Sequence, residues 1–274
     1  MTENTEGPGH VEETETAQLG LSILDVKITV SSRVKAVELL DQRIKAGLLS
    51  RVAFANAHLL NLAFKDVRLR RALESFLVFN DGIGVDIGAK VLHGVKFPDN
   101  LNGTDFIPDY LERTSCAHRI FLIGARPLSV AKSAQFVRSR FPRHRVVGWR
   151  DGYSGLNDPV DLIERIRGSK ATMLLVALGN PRQELWLAEW SEQSGAAIGF
   201  GVGGLFDFWS GADRRAPQLV RRARCEWLYR LACEPRRLAR RYLIGNPLFL
   251  VRVGSNLVKS ASQRQRRSRQ RRTG

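Results

Sequence analysis

No segment of this 274-residue chain holds the roughly 18 uninterrupted apolar residues of a membrane-spanning helix, so the sequence predicts none. Its longest apolar stretches, such as Met173 to Leu178, have the length of buried strands. Sulfur is scarce. Cys116, Cys225 and Cys233 are odd in number and lack CxxC spacing, which argues against a zinc site or a disulfide framework and suits a reducing cytoplasm. His10, His58, His93, His118 and His144 are scattered, and none shares a helical face with a second ligand, so metal ligation is not expected. The opening MTENTEGPGHVEETETAQ lacks both basic and long apolar character, so it is neither a signal nor a transit peptide; residues 1–18 are expected to be disordered.

Net charge is absent from most of the chain. From Met1 to Asp213, Lys and Arg number 25 and Asp and Glu number 25. From Arg214 onward, 18 basic residues face only Glu226 and Glu234, so the whole net charge of +16 sits there. A neutral body with a cationic end is suited to meet an anionic surface.

What is present is alternation. Apolar strands are predicted at Ser22–Val30, Arg51–Ala55, Ser75–Phe79, Arg119–Ile123, Arg145–Gly148, Ala171–Leu178 and Ala196–Gly199. Helical patterns lie between them, including Val34–Ala46, Pro127–Arg140, Val160–Arg167 and Arg182–Trp190. This order predicts an α/β fold: a mostly parallel sheet with helices on both faces, and ligands at the carboxyl ends of the strands. After Gly211 only short helical stretches follow, at Glu226–Leu231, Pro235–Leu243 and Pro247–Val258, ending in a solvated basic tail. The expected division is a body over 19–213, a helical basic appendage over 214–260 and a disordered basic tail over 261–274.

Five blocks bear on chemistry. Asn80-Asp81-Gly82-Ile83-Gly84 closes a strand; Asp81 either caps the next helix or stands at the sheet edge as a carboxylate able to take a proton from a hydroxyl. Gly103-Thr104-Asp105 reads as a helix start capped by Thr104 or Asp105, or as a polar loop for sugar or phosphate. Gly179-Asn180-Pro181-Arg182-Gln183-Glu184 leaves a strand and enters a helix whose first turn favours phosphate and amide partners. Gly199 to Gly211 contains Gly201, Gly203 and Gly204, which allow close backbone approach to a ligand, but no complete G-x-G-x-x-G fingerprint. Trp227 to Leu243 interleaves aromatics and Leu with Arg230, Arg236, Arg237, Arg240 and Arg241, the composition of a helix lying at a lipid interface. A nucleic-acid-binding module without catalysis is the alternative, since phosphate of either source attracts such charge.

Together these blocks resemble the WecG/TagA/CpsF family of bacterial glycosyltransferases. The resemblance runs from Val52 to Leu243 and adds Asn56 with Asn61, Asp151-Gly152-Tyr153, Arg215-Ala216-Pro217 and Glu226 to Leu231 to the blocks above. It implies an inverting, metal-independent and cofactor-free enzyme that moves a sugar from a UDP-sugar to a polyprenyl-diphosphate-linked sugar. Enterobacterial common antigen, teichoic acid, capsule or exopolysaccharide would be the product pathway. It also implies peripheral attachment to the cytoplasmic face of the membrane, an anionic surface as partner and no specific nucleic acid; oligomeric state does not follow from it. By the same resemblance Asp81 is the general base, and Asn56 and Gln183 orient substrate. Asn80, Thr104, Asp105, Gly201, Gly203 and Gly204 belong to the pocket, and Arg230, Arg237 and Arg240 supply cations to the leaving diphosphate. No D-x-D motif is present to hold a metal on that diphosphate. Two positions depart from the family pattern: Phe54 replaces a common Thr, and Asn100 a common Arg.

Overall fold

The structure is a computed structural model that describes residues 20–154, 158–213, 216–217, 220 and 226–258. Strands β1 (Gly20–Ile23) and β2 (Val26–Thr29) form an antiparallel hairpin. The single strand expected over Ser22–Val30 is therefore broken in its middle. Leu24 and Asp25 turn the chain with φ of 51° and 63°, a region where Gly or Asn usually signals a hairpin. Leu24 is 1% exposed, and its burial helps offset the strain of that turn.

The main sheet contains β3 (Ser50–Ala55), β4 (Phe76–Asn80), β5 (Arg119–Gly124), β6 (Arg145–Arg150), β7 (Met173–Ala177) and β8 (Ile198–Gly201). Its order is β4-β3-β8-β7-β5-β6, and every pairing is parallel. The strands feed apolar side chains to two cores because alternate residues face opposite ways, except that β8 gives Ile198 and Phe200 to one core and turns only Gly199 and Gly201 to the other. Ala53, Ile123, Leu174 and Val176 point into one core; Val52, Phe54, Leu122 and Leu175 point into the other.

The first core is covered by α2 (Ala57–Lys65), α3 (Val67–Leu73), α4 (Ile83–His93), α7 (Pro159–Gly168) and α8 (Arg182–Ser194), together with the hairpin. The second is covered by α1 (Arg33–Lys45), α5 (Gly103–Arg113), α6 (Pro127–Arg140) and α9 (Leu205–Trp209). This is the expected α/β architecture. The chain leaves β7 for the first face and β8 for the second. A crevice opens between such diverging connections at the carboxyl ends of the strands.

Beyond the sheet come α10 (Glu226–Cys233), α11 (Pro235–Ala239), a π turn (Arg240–Ile244) and a helix α12 spanning 245–258. The pattern change after Gly211 thus corresponds to helices alone among the described residues. Helix α12 is docked on the body. Phe249 and Val253 are 0% and 1% exposed and belong to the first core. Gly88 of α4 makes room for Phe249: a Cβ there would lie 3.2 Å from the ring Cζ. Asn61 Nδ2 donates to the Gly245 carbonyl at 2.7 Å, and Arg252 donates to the Asn61 carbonyl and Oδ1 at 3.0 and 2.7 Å. No described helix is long and apolar enough to cross a membrane.

Candidate functional site

A cleft of about 830 Å³ opens at the carboxyl ends of β3, β4, β5, β7 and β8, and α12 with the preceding π turn closes its outer side. The blocks singled out in the sequence meet here. Asn56, Asp81, Thr104, Asp105, Gln183, Gly201, Gly203 and Gly204 all line this one space.

Asp81 follows the last residue of β4, and its backbone N–H continues the sheet by donating to the Ala55 carbonyl at 2.7 Å. It does not cap α4. Gly82 occupies that position with no side-chain cap, and Asn100 Oδ1 accepts the Gly82 N–H at 2.9 Å. Asn56 sits beside Asp81 at the end of β3. Its Oδ1 caps α2 by accepting from the N–H groups of His58 and Leu59, both at 3.1 Å, while its Nδ2 reaches Asp81 Oδ2 at 3.4 Å. One amide therefore fixes a helix start and approaches the carboxylate.

Asn80 is buried, with none of its surface exposed, and is not a lining residue. Its Nδ2 donates to the Asp99 carbonyl at 2.9 Å and to Asp86 Oδ1 at 3.3 Å, and its backbone carbonyl accepts from Leu101. It shapes the wall that carries Asn100 and Asn102 instead of facing the cleft. The cap of α5 is Asn102, whose Oδ1 accepts from the Asp105 N–H at 3.0 Å. Thr104 and Asp105 are thereby left in the first turn, on the cleft. Phe54 forms floor: its ring packs 6.4 Å from Phe79 and 6.0 Å from Phe106, against the bare Cα of Gly103.

Across the cleft, Gln183 ties two loops together. Its Oε1 accepts from the N–H groups of Gly179 at 3.2 Å and Gly203 at 3.0 Å, and its Nε2 donates to Glu184 Oε1 at 2.8 Å. Gly203 has φ +56°, the left-handed turn that aims its N–H at Gln183. Glu184 also accepts from Asn180 Nδ2 at 2.6 Å. Its complete burial pushes the carboxyl up to about 7, with the Gln183 and Asn180 hydrogen bonds opposing the shift.

The C-terminal side contributes Trp227, Arg241, Tyr242, Leu243, Asn246, Pro247, Phe249 and Leu250. Arg241 brings a permanent positive charge. Burial, followed by the repulsion of Arg241, lowers the His58 imidazole to about 4, so His58 is neutral at pH 7. Arg240 is exposed and is not a lining residue. The side chains of Arg230 and Arg237 lie outside the described residues. Arg240 and Arg241 open the π turn, and of the two it is Arg241 that lines the cleft. Sequence reasoning also passed over His58 and Asn102; the N-cap preference of Asn before a helix start was the available signal for Asn102. Among the described residues, no group of three or more His, Cys, Asp or Glu side chains could hold a metal ion.

The sequence model of the Glycosyl transferase WecG/TagA/CpsF family matches residues 21–264. An N-acetylglucosaminyldiphosphoundecaprenol N-acetyl-beta-D-mannosaminyltransferase of Bacillus spizizenii is 32% identical over 180 residues, covering 65% of this chain and 69% of that protein.

Proposed function

The chain belongs to the WecG/TagA/CpsF family of glycosyltransferases, and from that premise we propose that it moves a hexosyl group from a UDP-sugar to a polyprenyl-diphosphate-linked sugar during synthesis of a bacterial surface polysaccharide. Membership in an enzyme family displaces the alternative of a non-catalytic nucleic-acid-binding module. The observation that carries the reading is the position of Asp81: it shares one cleft with the glycine loops at Gly179 and Gly201–Gly204 and with Arg241.

In this reading the acceptor hydroxyl lies against Asp81, which takes its proton as the oxygen attacks the anomeric carbon. The UDP leaves from the opposite face, and the configuration at that carbon inverts. The Asn56 amide beside Asp81 keeps the carboxylate directed at the hydroxyl. The diphosphate develops negative charge as it leaves, and Arg241 stands in the cleft to receive it without a metal. Thr104, Asp105, Gln183 and the backbone of Gly201, Gly203 and Gly204 bind sugar and phosphate. Arg230, Arg237 and Arg240 remain candidates for a closing appendage, in which a small movement of the C-terminal helices brings further cations over the diphosphate.

The body over 19–213 supplies Asp81 and the glycine loops, while the appendage over 214–260 adds Arg241 to the cleft and, with the tail over 261–274, holds the enzyme at the cytoplasmic face of the membrane. Eighteen basic residues from Arg214 onward support attraction to anionic lipid. The relative's name makes N-acetylmannosamine the first donor group to try and diphosphoundecaprenol-linked N-acetylglucosamine the first acceptor. Phe54 and Asn100 both line the cleft, so the donor is to be assigned by experiment. Incubation of the full chain with a panel of UDP-sugars and polyprenyl-diphosphate sugars, followed by mass spectrometry of the lipid fraction, is expected to show one hexosyl unit added with release of UDP. A panel that yields UDP only by hydrolysis, with no glycosylated lipid, overturns the proposal.

A further inference from the structure

Helix α4 carries an apolar stripe that faces solvent. Ile83, Ile87 and Val91 recur at four-residue intervals and so share one face; they are 40%, 39% and 43% exposed. The other side of α4 is buried through Val85, Gly88 and Ala89. Phe249 packs on Gly84 and Gly88, next to the stripe, and fixes the rotation of the helix.

The stripe begins inside the cleft. Ile83 and Ile87 are lining residues, and Val91 continues the row beyond it. Helix α4 starts two residues after Asp81, so the row runs away from the carboxylate for about 12 Å at 1.5 Å per residue. Leu250 of α12 also lines the cleft and is 43% exposed. The cleft thus has a polar end at Asn56, Asp81 and Asp105 and an apolar exit along α4.

We propose that this stripe seats the first isoprene units of the lipid-linked acceptor and leads its chain out of the cleft. The inference rests on the proposed function and adds where the acceptor's apolar part lies. A polyprenyl-diphosphate sugar is a linear amphiphile: its sugar must reach Asp81, and its chain must leave through an apolar passage. Asp81 and the row Ile83-Ile87-Val91 meet these two needs in one cleft and its continuation. The row's continuity with the cleft favours the acceptor chain over a second protein as occupant, because a partner protein would have no reason to share Ile83 and Ile87 with the reacting groups.

The test uses the full-length chain in water with two soluble acceptors, N-acetylglucosaminyl diphosphate esterified with farnesol and the same head group esterified with ethanol. The wild-type chain is expected to show a KM about tenfold lower for the farnesyl acceptor. Val91→Asn, at an exposed position outside the cleft, is expected to raise the farnesyl KM severalfold. It should leave the ethyl KM, the UDP-sugar KM and the melting temperature unchanged, and Val91→Ile should restore the preference. Equal KM values for the two acceptors in the wild-type chain, or a Val91→Asn change that affects both alike, overturns the inference. So does a loss of farnesyl preference that tracks dissociation of an oligomer in sedimentation, which would assign the stripe to a second copy. Absence of transfer to either acceptor refutes the proposed function and this inference with it; transfer without chain-length preference refutes this inference alone.

Discussion

On the sheet side of the cleft, polar side chains tie loops to loops; on the C-terminal side, buried Phe249 and Val253 and hydrogen bonds with Asn61 tie a helix to the body. The sheet side is held by Asn80, Asn100 and Gln183, each bonded to backbone groups of neighbouring segments, and by Asn56, which caps α2 and reaches the Asp81 carboxylate. The C-terminal side depends on Phe249 between Gly84, Gly88 and the first core, and on the Asn61 and Arg252 contacts. The first arrangement fixes the positions of reacting groups to within a hydrogen bond. The second is suited to local opening, because its outer face exposes Leu243, Ile244, Leu248 and Val251. A polar wall facing a more apolar one suits a substrate that is half sugar and half lipid.

Removing the carboxylate on the polar wall should give the largest effect. Asp81→Asn is expected to lower kcat on the order of 10³-fold, within the range of general-base contributions, with an unchanged melting temperature. Turnover within a factor of a few of the wild type would take Asp81 out of the mechanism. Next comes the attachment of the other wall. Phe249→Ala should cost about 3 kcal/mol or more locally, because the ring is fully buried. Hydrogen exchange is the measurement: amides of 245–258 should exchange faster while β3 to β8 keep their protection. Equal loss of protection throughout would erase the distinction between the walls. The smallest effect is expected at the brace. Gln183→Leu leaves the N–H groups of Gly179 and Gly203 without their shared acceptor, a penalty of about 1–3 kcal/mol. It should raise the donor KM more than it lowers the melting temperature, and a purely thermal effect would make Gln183 a scaffold residue.

Much of the fold was legible because parallel strands covered on both faces read as short apolar runs ending in Gly, Asn or Asp. Pro127–Arg140 was placed at its observed bounds, and the strand ends that carry Asp81 and Gly179 were located to within a residue or two. The hairpin turn was not legible, since Leu24 and Asp25 adopt positive φ without the usual glycine or asparagine. Buried Asn80 read as a pocket residue because an amide at a strand end looks the same whether it faces ligand or backbone. Arg241 lines the cleft and its neighbour Arg240 does not, and no local pattern in Arg240–Ile244 announces which of the two faces inward.

The sequence by itself determined the alternation of strands and helices, the acidic residue at the end of β4 and the gathering of positive charge after Asp213. These are properties of hydrophobic period, turn chemistry and residue count, all of which are local. Strand order, the meeting of Asp81 with the glycine loops, and the docking of Phe249 against Gly88 were decided by the tertiary structure alone. Each joins residues far apart in the chain, and such contacts depend on how two sheet faces are covered at once.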